Sequence, residues 1–157
     1  MRHKKTPKRT IEADKVYNNK FVAKFINQIM HDGKKSVAEK AFYGAFDLLA
    51  KKEQDPVKVF EQALQNVGPK TEVKARRVGG ASYQVPTEVR GERRMSLAVR
   101  WIITAARARS NKEYHSFSEK LAAEFLDASA NQGAAIKKRD TILRTAEANK
   151  AFSHFRW

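Results

Sequence analysis

The 157-residue sequence contains no cysteine. This absence excludes disulfide bonds, thiolate zinc sites and cysteine nucleophiles, and it fits a reducing compartment. Apolar residues never run on for more than a few positions, so no segment is long enough to span a bilayer. The basic N-terminus is not followed by the apolar stretch of a secretion signal. We therefore expect a cytoplasmic protein with no membrane segment.

Acidic side chains are scarce relative to basic ones. The chain has 17 Asp and Glu against 32 Lys and Arg, which gives a formal charge of +15 at pH 7. Hydrophobic residues make up 41% of the chain, so the composition is that of a folded domain rather than a disordered polycation. The length suits one domain, residues 1–157. Such a surplus favours a polyanionic partner, with nucleic acid as the first candidate and an anionic membrane as the second.

The basic excess is uneven along the chain. Residues 1–20 carry a net charge of +5, whereas residues 21–69 carry only +1. The first segment has few apolar residues, and we predict that residues 1–18 form a flexible basic tail that is disordered until bound. Its cations, which are candidates for contact with a polyanion, are Arg2, Lys4, Lys5, Lys8 and Arg9.

Residues 19–69 show the helical period three times. Asn18 or Asn19 is a plausible N-cap for a first helix that ends before Gly33. A second helix is predicted from Lys35 to Lys52, and Asp55-Pro56 begins a third that Gly68 ends. The inward face of the first helix is predicted to contain Phe21, Val22, Phe25, Ile26 and Ile29. That of the second is predicted to contain Val37, Ala41, Ala45, Leu48 and Leu49.

The period changes to two in residues 72–90, which predicts a β-hairpin of roughly 72–78 paired with 83–90 around Gly79-Gly80. An isolated two-stranded ribbon is marginal in water, so we expect it to lean on the bundle at its base and to project at its tip. Helical periodicity resumes in residues 92–149 as helices four to six, and residues 150–157 are a C-terminal tail. Ser116 and Glu119 have the spacing of a capping box that opens helix five. The predicted fold class is mainly α: about six helices with a projecting β-hairpin between the third and fourth.

No catalytic, metal or cofactor site emerges from the sequence. Residues 32–36 resemble the end of a phosphate loop, but the required upstream glycine is replaced by Gln28, and a helix-ending glycine explains the segment better. The four histidines lack the spacing of metal ligands. The carboxylates are scattered and mostly lie one turn from a Lys or Arg, which favours solvated salt bridges. We therefore predict that the protein is not an enzyme and carries no cofactor.

The hairpin tip is the strongest binding candidate. Arg76 and Arg77 can bind phosphate in a bidentate way, Gly79 and Gly80 permit a close backbone approach, and Tyr83 can stack on an unpaired base. The alternative is an ordinary flexible turn with solvated arginines. Two further clusters allow the same two interpretations, because a charge run is usually a solvated face. These are Arg93 and Arg94, and Lys137, Lys138 and Arg139, whereas Lys34 and Lys35 are the basic start of the second helix.

Two kinds of nucleic acid fit these features. A basic DNA-binding regulator remains an alternative, but no predicted helix shows a clear row of Asn, Gln or Arg for reading bases in the major groove. Separated cationic clusters and a glycine-containing ribbon suit structured RNA, which is read by shape, phosphate and splayed bases. An RNA-processing enzyme is a distant third, since no acid/base or metal set is present.

Several strings resemble a known family in order along nearly the whole chain, from about Lys20 to Trp157. They are 33–36 (GKKS) with 38–40 (AEK), 59–64 (VFEQAL), 76–81 (RRVGGA) with 83–86 (YQVP), 100–101 (RW), and 146–152 with 154–157 (AEANKAF and HFRW). They resemble the family of bacterial small-subunit ribosomal protein seven. The resemblance leads us to expect a bulkier or charged residue before Pro69, where this chain has Gly68.

The resemblance implies six helices with a ribbon between the third and fourth. It implies binding to the 3′ major domain of small-subunit ribosomal RNA, nucleation of head assembly, and a position beside the transfer-RNA exit site. On this basis the basic tail, Lys34 and Lys35, and the other basic clusters hold ribosomal RNA, and the ribbon tip approaches messenger and transfer RNA. Expected protein partners are the ninth and eleventh proteins of the small subunit, with no homo-oligomer. The predicted protein-binding residues are Phe152, Phe155, Arg156 and Trp157.

Overall fold

The computed structural model describes residues 11–52 and 54–155. The predictions for Arg2, Lys4, Lys5, Lys8 and Arg9, and those for Arg156 and Trp157, lie outside the described residues.

Six α-helices and one antiparallel hairpin form the described part of the chain, followed by a short C-terminal 3₁₀ helix. This confirms the predicted mainly α fold with a hairpin between helices three and four. The helices are α1 (Lys20–Ile29), α2 (Lys35–Ala50), α3 (Pro56–Val67), α4 (Gly91–Ala108), α5 (Phe117–Ser129) and α6 (Gly133–Ala148). The strands are β1 (Thr71–Val78) and β2 (Ala81–Glu88), and the 3₁₀ helix is Lys150–Phe155.

Three helices begin at the caps that the sequence predicts. The Asn19 side chain accepts a hydrogen bond of 2.8 Å from the amide of Phe21. Asp55 caps α3, with Pro56 at its first position. At α5, Ser116 accepts from the amide of Glu119, while the Glu119 carboxylate accepts from the amide of Ser116, so both halves of the capping box are present. These bonds satisfy backbone amides that a helix start leaves without a partner.

Five phenylalanines from four helices form the centre of the core. Their side chains are completely buried, and their ring centroids lie 4.4 to 6.3 Å apart, mostly in tilted or edge-to-face pairs. Edge-to-face packing places the positive edge of one ring on the negative face of the next. The cluster joins α1, α2, α3 and α5 through Phe25, Phe42, Phe46, Phe60 and Phe125.

The predicted inward faces of α1 and α2 need correction at two positions. Phe21 is 39% exposed and Val37 is 60% exposed. In α2 the buried stripe runs through Ala38, Phe42 and Leu49, because the two large rings of Phe42 and Phe46 turn toward the core and carry Val37 to the surface. A helix that has apolar residues on more than one face leaves this choice to its tertiary neighbours.

The predicted tail of residues 1–18 is also too long at its C-terminal end. Asp14 is buried, and its carboxylate accepts hydrogen bonds from the amides of Val16 and Tyr17 and from the Tyr43 hydroxyl at 2.7 Å. The Tyr17 ring lies 5.0 Å from the Phe46 ring. Residues 14–17 therefore form a turn that packs on α2, where the prediction expected disorder before binding.

The hairpin has a shorter loop than predicted. Its register pairs Thr71 with Glu88 and continues to Val78 with Ala81, so β2 begins two residues earlier than the sequence pattern indicates. Gly79 and Gly80 alone form the loop, with φ of +58° and +92°. Two consecutive residues with positive φ match the right-handed twist of the flanking strands, which is why glycine suits both positions.

A buried ionic cluster holds α4, α5 and α6 together and is an exception to the solvated salt bridges predicted for most carboxylates. Glu124 of α5 is completely buried and accepts two hydrogen bonds from Arg109, at 2.9 and 2.6 Å. Its other oxygen accepts from the amide of Ala135 at the start of α6. Burial alone lowers the pKa of Arg109, but the carboxylates of Asp127 and Glu124 outweigh it and raise that pKa above its usual value.

Candidate nucleic-acid interface

The hairpin presents its two predicted arginines on opposite faces. Residues directly across an antiparallel pair point to the same side, and successive residues alternate. Arg76 pairs with Tyr83 and Lys74 with Val85. Val85 is completely buried, so the inner face rests on the protein there, whereas Arg76 and Lys74 are themselves exposed. Arg77 pairs with Ser82 on the outer face, where both are exposed. Arg77 and the loop glycines Gly79 and Gly80 are therefore open to a ligand at the tip.

Tyr83, predicted as a stacking platform for an unpaired base, already has aromatic neighbours. Its ring centroid lies 5.1 Å from that of Phe152 and 5.2 Å from that of Phe155, both in the C-terminal 3₁₀ helix. The side chain is only half-exposed as a result. The structure thus brings together a predicted RNA-binding residue and two predicted protein-binding residues within one cluster.

At the base of the hairpin, Glu72 forms ion pairs with two basic side chains, those of Lys74 and Arg93. Its carboxylate lies 3.4 Å from the Arg93 guanidinium and 3.3 Å from the Lys74 ammonium. The carboxylate is mostly covered, whereas the side chains of Arg93 and Lys74 are about half exposed. Arg93 is therefore tethered at one end of α4 and still faces solvent, in a position to contact an anion.

Arg94 is used inside the fold. Its guanidinium donates to the carbonyls of Gly68 at 2.9 Å and Gln65 at 3.0 Å, which are C-terminal carbonyls of α3 without helical partners. A Cβ at Gly68 would lie 2.8 Å from the Arg94 side chain. This explains why the chain has glycine there: a larger residue would displace the arginine that caps α3.

In the basic cluster at the start of α6, one residue is used inside the fold and two are exposed. Arg139 donates to the carbonyl of Asn66 at 2.6 Å and pairs with Asp140, so it connects α6 to α3. Lys137 and Lys138 are exposed. The Lys138 ammonium lies 5.9 Å from the centroid of the Trp101 ring, within the range of a cation–π contact. These two lysines are the members of the cluster available to a polyanion.

Lys34 and Lys35, at the start of α2, are both exposed. Lys35 pairs loosely with Glu39 at 3.8 Å across one helical turn, a contact that solvent weakens. Lys34 borders a small cleft of about 250 Å³ that also involves His31 and Arg107. Arg107 contributes one hydrogen bond of 3.3 Å to the Ile29 carbonyl.

One surface was missed by the sequence prediction. An open groove of about 960 Å³ runs between α1 and α4, and exposed polar and basic residues of α1 line it together with Phe21. Phe21 is 39% exposed at this groove. Lys20 and Lys24 lie one helical turn apart beside Phe21, and this pattern indicates a basic surface. The charge sum over residues 21–69 does not, because it is only +1. The groove residues contributed by α1 are Lys20, Phe21, Lys24, Asn27 and Gln28.

Other kinds of site find no support in the part of the chain that the structure describes. No helix among residues 11–52 and 54–155 is both long and apolar enough to cross a membrane. Within the same residues, no three His, Asp or Glu side chains are grouped to hold a metal ion.

Comparison with known proteins decides the family. The family model for ribosomal protein S7p/S5e matches residues 1–150. The chain belongs to this family of ribosomal proteins. Among its relatives, the small ribosomal subunit protein uS7 of Moorella thermoacetica is 57% identical and that of Magnetococcus marinus 55%, each over 157 residues covering 99% of both chains. The uS7 protein of Caldanaerobacter subterraneus is 58% identical over 152 residues, covering 96% of both.

Membership of the S7p/S5e family confirms the resemblance drawn from the sequence strings. It makes the chain a ribosomal protein, with the ribosome in the cytoplasm as its place of action. The exposed cations of the hairpin, α1, α2 and α6 accordingly belong to a protein of a ribonucleoprotein particle.

Proposed function

We propose that the chain is a structural, non-catalytic component of the small ribosomal subunit that binds the 3′ major domain of its ribosomal RNA. The observation that carries the proposal is the distribution of exposed cations. They stand at separate places on one rigid bundle: the groove side of α1, the start of α2, the hairpin and the start of α6. The names of the relatives, which are small-subunit proteins, support the choice of partner.

The proposed mechanism is neutralisation of phosphates where RNA helices converge. Each cation that meets a phosphate releases counterions, and separate clusters on a stiff scaffold lower the electrostatic cost of bringing RNA segments together. The phenylalanine core keeps the distances between these clusters fixed. This is how the protein would nucleate assembly of the subunit head without covalent chemistry.

The contact residues follow from which side chains are open. We assign phosphate contacts to Lys34, Lys35, Arg93, Lys137 and Lys138, and add Lys20 and Lys24 of the α1 groove. Phe21, exposed beside those lysines, suits a base stacked on its ring. Arg94 and Arg139 serve the fold and are not counted as phosphate contacts.

The hairpin tip has a separate proposed role. Arg77, Gly79 and Gly80 would approach messenger RNA and transfer RNA at the exit site, because they are exposed at the end of the ribbon. The residues after the 3₁₀ helix, Arg156 and Trp157, would meet neighbouring small-subunit proteins, the ninth and eleventh of the series.

Equilibrium binding to three nucleic acids tests the proposal. The full chain should bind a 3′ major-domain RNA fragment more tightly than a random RNA duplex of equal length, and duplex DNA should compete poorly. The double variant K137Q/K138Q should weaken binding, while the matched control K51Q/K52Q, which removes two exposed lysines at the end of α2, should change it little. Equal affinity for all three nucleic acids would refute the proposal, and preference for DNA would favour a basic DNA-binding regulator.

A further inference from the structure

The hairpin has two supports, one at each end of its inner face. Toward its base, Val85 is completely buried, and both strands contact α6. Toward its tip, the Tyr83 ring lies against Phe152 and Phe155 of the C-terminal 3₁₀ helix. The second contact is made by a segment that follows α6, and Phe152 and Phe155 are 69 and 72 positions from Tyr83 in the sequence.

The geometry of the 3₁₀ helix suits this contact. With three residues per turn, side chains at positions i and i+3 are eclipsed. Phe152 and Phe155 have that spacing, and their rings are nearly parallel, at 14°, with centroids 6.5 Å apart. Both rings therefore face β2 from one side of the helix and together form the surface against which Tyr83 packs.

A two-stranded ribbon has little stability of its own, so order near the tip depends on what touches it. Beyond Val85, the remaining outer pairs are Ala75 with Gln84, Arg76 with Tyr83, Arg77 with Ser82 and Val78 with Ala81. We propose that the C-terminal 3₁₀ helix is a clasp that fixes this outer half of the hairpin, with Phe152 and Phe155 as positioning residues for the tip. Tyr83 is the anchor of the clasp rather than a platform for a base.

Hydrogen exchange of the hairpin amides tests the clasp without any RNA. An aromatic pair changes a local opening equilibrium by about two- to tenfold. In the double variant F152A/F155A, the outer amides of residues 75–78 and 81–84 should exchange faster by about that factor or more. Amides at the base, near Glu72 and Thr87, should be unchanged, because Val85 and α6 still support them.

Two controls separate the clasp from general destabilisation. F21A removes an exposed ring on α1 and should leave the whole hairpin unchanged. The conservative variant F152Y/F155Y keeps both rings and should restore slow exchange. Unchanged outer amides in F152A/F155A would overturn the proposal, and so would acceleration spread evenly over the helices.

A double-mutant cycle then tests the role of Tyr83, and this part rests on the proposed RNA-binding function. If Tyr83 acts through the clasp, Y83A and F152A/F155A should each accelerate outer exchange, and combining them should add little. The yield of photo-crosslinks between the tip and RNA in assembled subunits should fall to a similar extent in Y83A, in F152A/F155A and in the combined variant. A loss of crosslinking in Y83A alone, with normal exchange, would make Tyr83 a base platform and overturn the clasp. A chain that never binds RNA would refute the proposed function, while the exchange result would still stand.

Discussion

The buried carboxylate of Glu124 provides the sharpest stability prediction. It joins the end of α4 to the start of α6, since it accepts hydrogen bonds from Arg109 and from the amide of Ala135. Replacing it with glutamine keeps the volume and one acceptor but removes the charge. The start of α6 carries Lys137 and Lys138, so the same change also loosens part of the proposed interface.

The expected cost follows from burial. Glu124 is completely buried, and removing one partner of a buried ion pair costs about 3–5 kcal/mol. Two features favour the lower end: the Arg109 side chain is 18% exposed, and it keeps its contact with Asp127. We therefore expect E124Q to lower the free energy of unfolding by about 3 kcal/mol.

Urea unfolding followed by circular dichroism measures this change, with an unchanged m-value as the sign that both proteins unfold in the same way. D127N is the matched control, because that carboxylate contacts the same arginine but is 42% exposed. It should cost at most about 1 kcal/mol. A cost below about 1 kcal/mol for E124Q, or equal costs for both variants, would refute the reasoning.

Three further predictions concern the fold and are tested by the same unfolding measurement. G68A should lower the free energy of unfolding by about 1–3 kcal/mol, since the new Cβ would lie 2.8 Å from Arg94. An unchanged free energy of unfolding would show that the Arg94 side chain moves aside freely. S116A should cost about 1 kcal/mol through loss of the capping box, and a cost near zero would contradict its role. For Asp14, burial alone raises the pKa, but hydrogen bonds from Tyr43 and backbone amides outweigh it and hold the pKa below 3.8. Its charged form therefore stabilises the fold above pH 3.8. The wild type should have a higher free energy of unfolding than D14N there, and this difference should shrink as the pH falls below that value. A difference that does not change with pH would contradict the reasoning.

Much of the fold could be predicted because the decisive signals are local. Asp55 followed by Pro56 marks the start of α3, and Ser116 with Glu119 marks the start of α5, within four residues of sequence. Gly79-Gly80 likewise marks the hairpin loop. Caps and turns of this kind are determined by neighbouring residues, so the sequence pattern alone locates them.

The errors arise where distant residues decide. Arg139 reaches Asn66 across 73 positions, and Tyr43 reaches Asp14 across 29, and neither partnership leaves a local pattern. The same applies to Tyr83, whose aromatic partners come from the C-terminus. Exposed cations were predicted by residue type, but which of them the fold uses for itself depends on tertiary contacts.

The salt dependence of binding to a 3′ major-domain RNA fragment tests the central claim most directly. If several separated cations neutralise phosphates, the logarithm of affinity should fall steeply with the logarithm of salt concentration, by about 0.9 for each duplex phosphate contact. K137Q/K138Q should flatten the slope by up to about 1.8, and K51Q/K52Q should leave it unchanged. A wild-type affinity that does not change with salt would contradict the account.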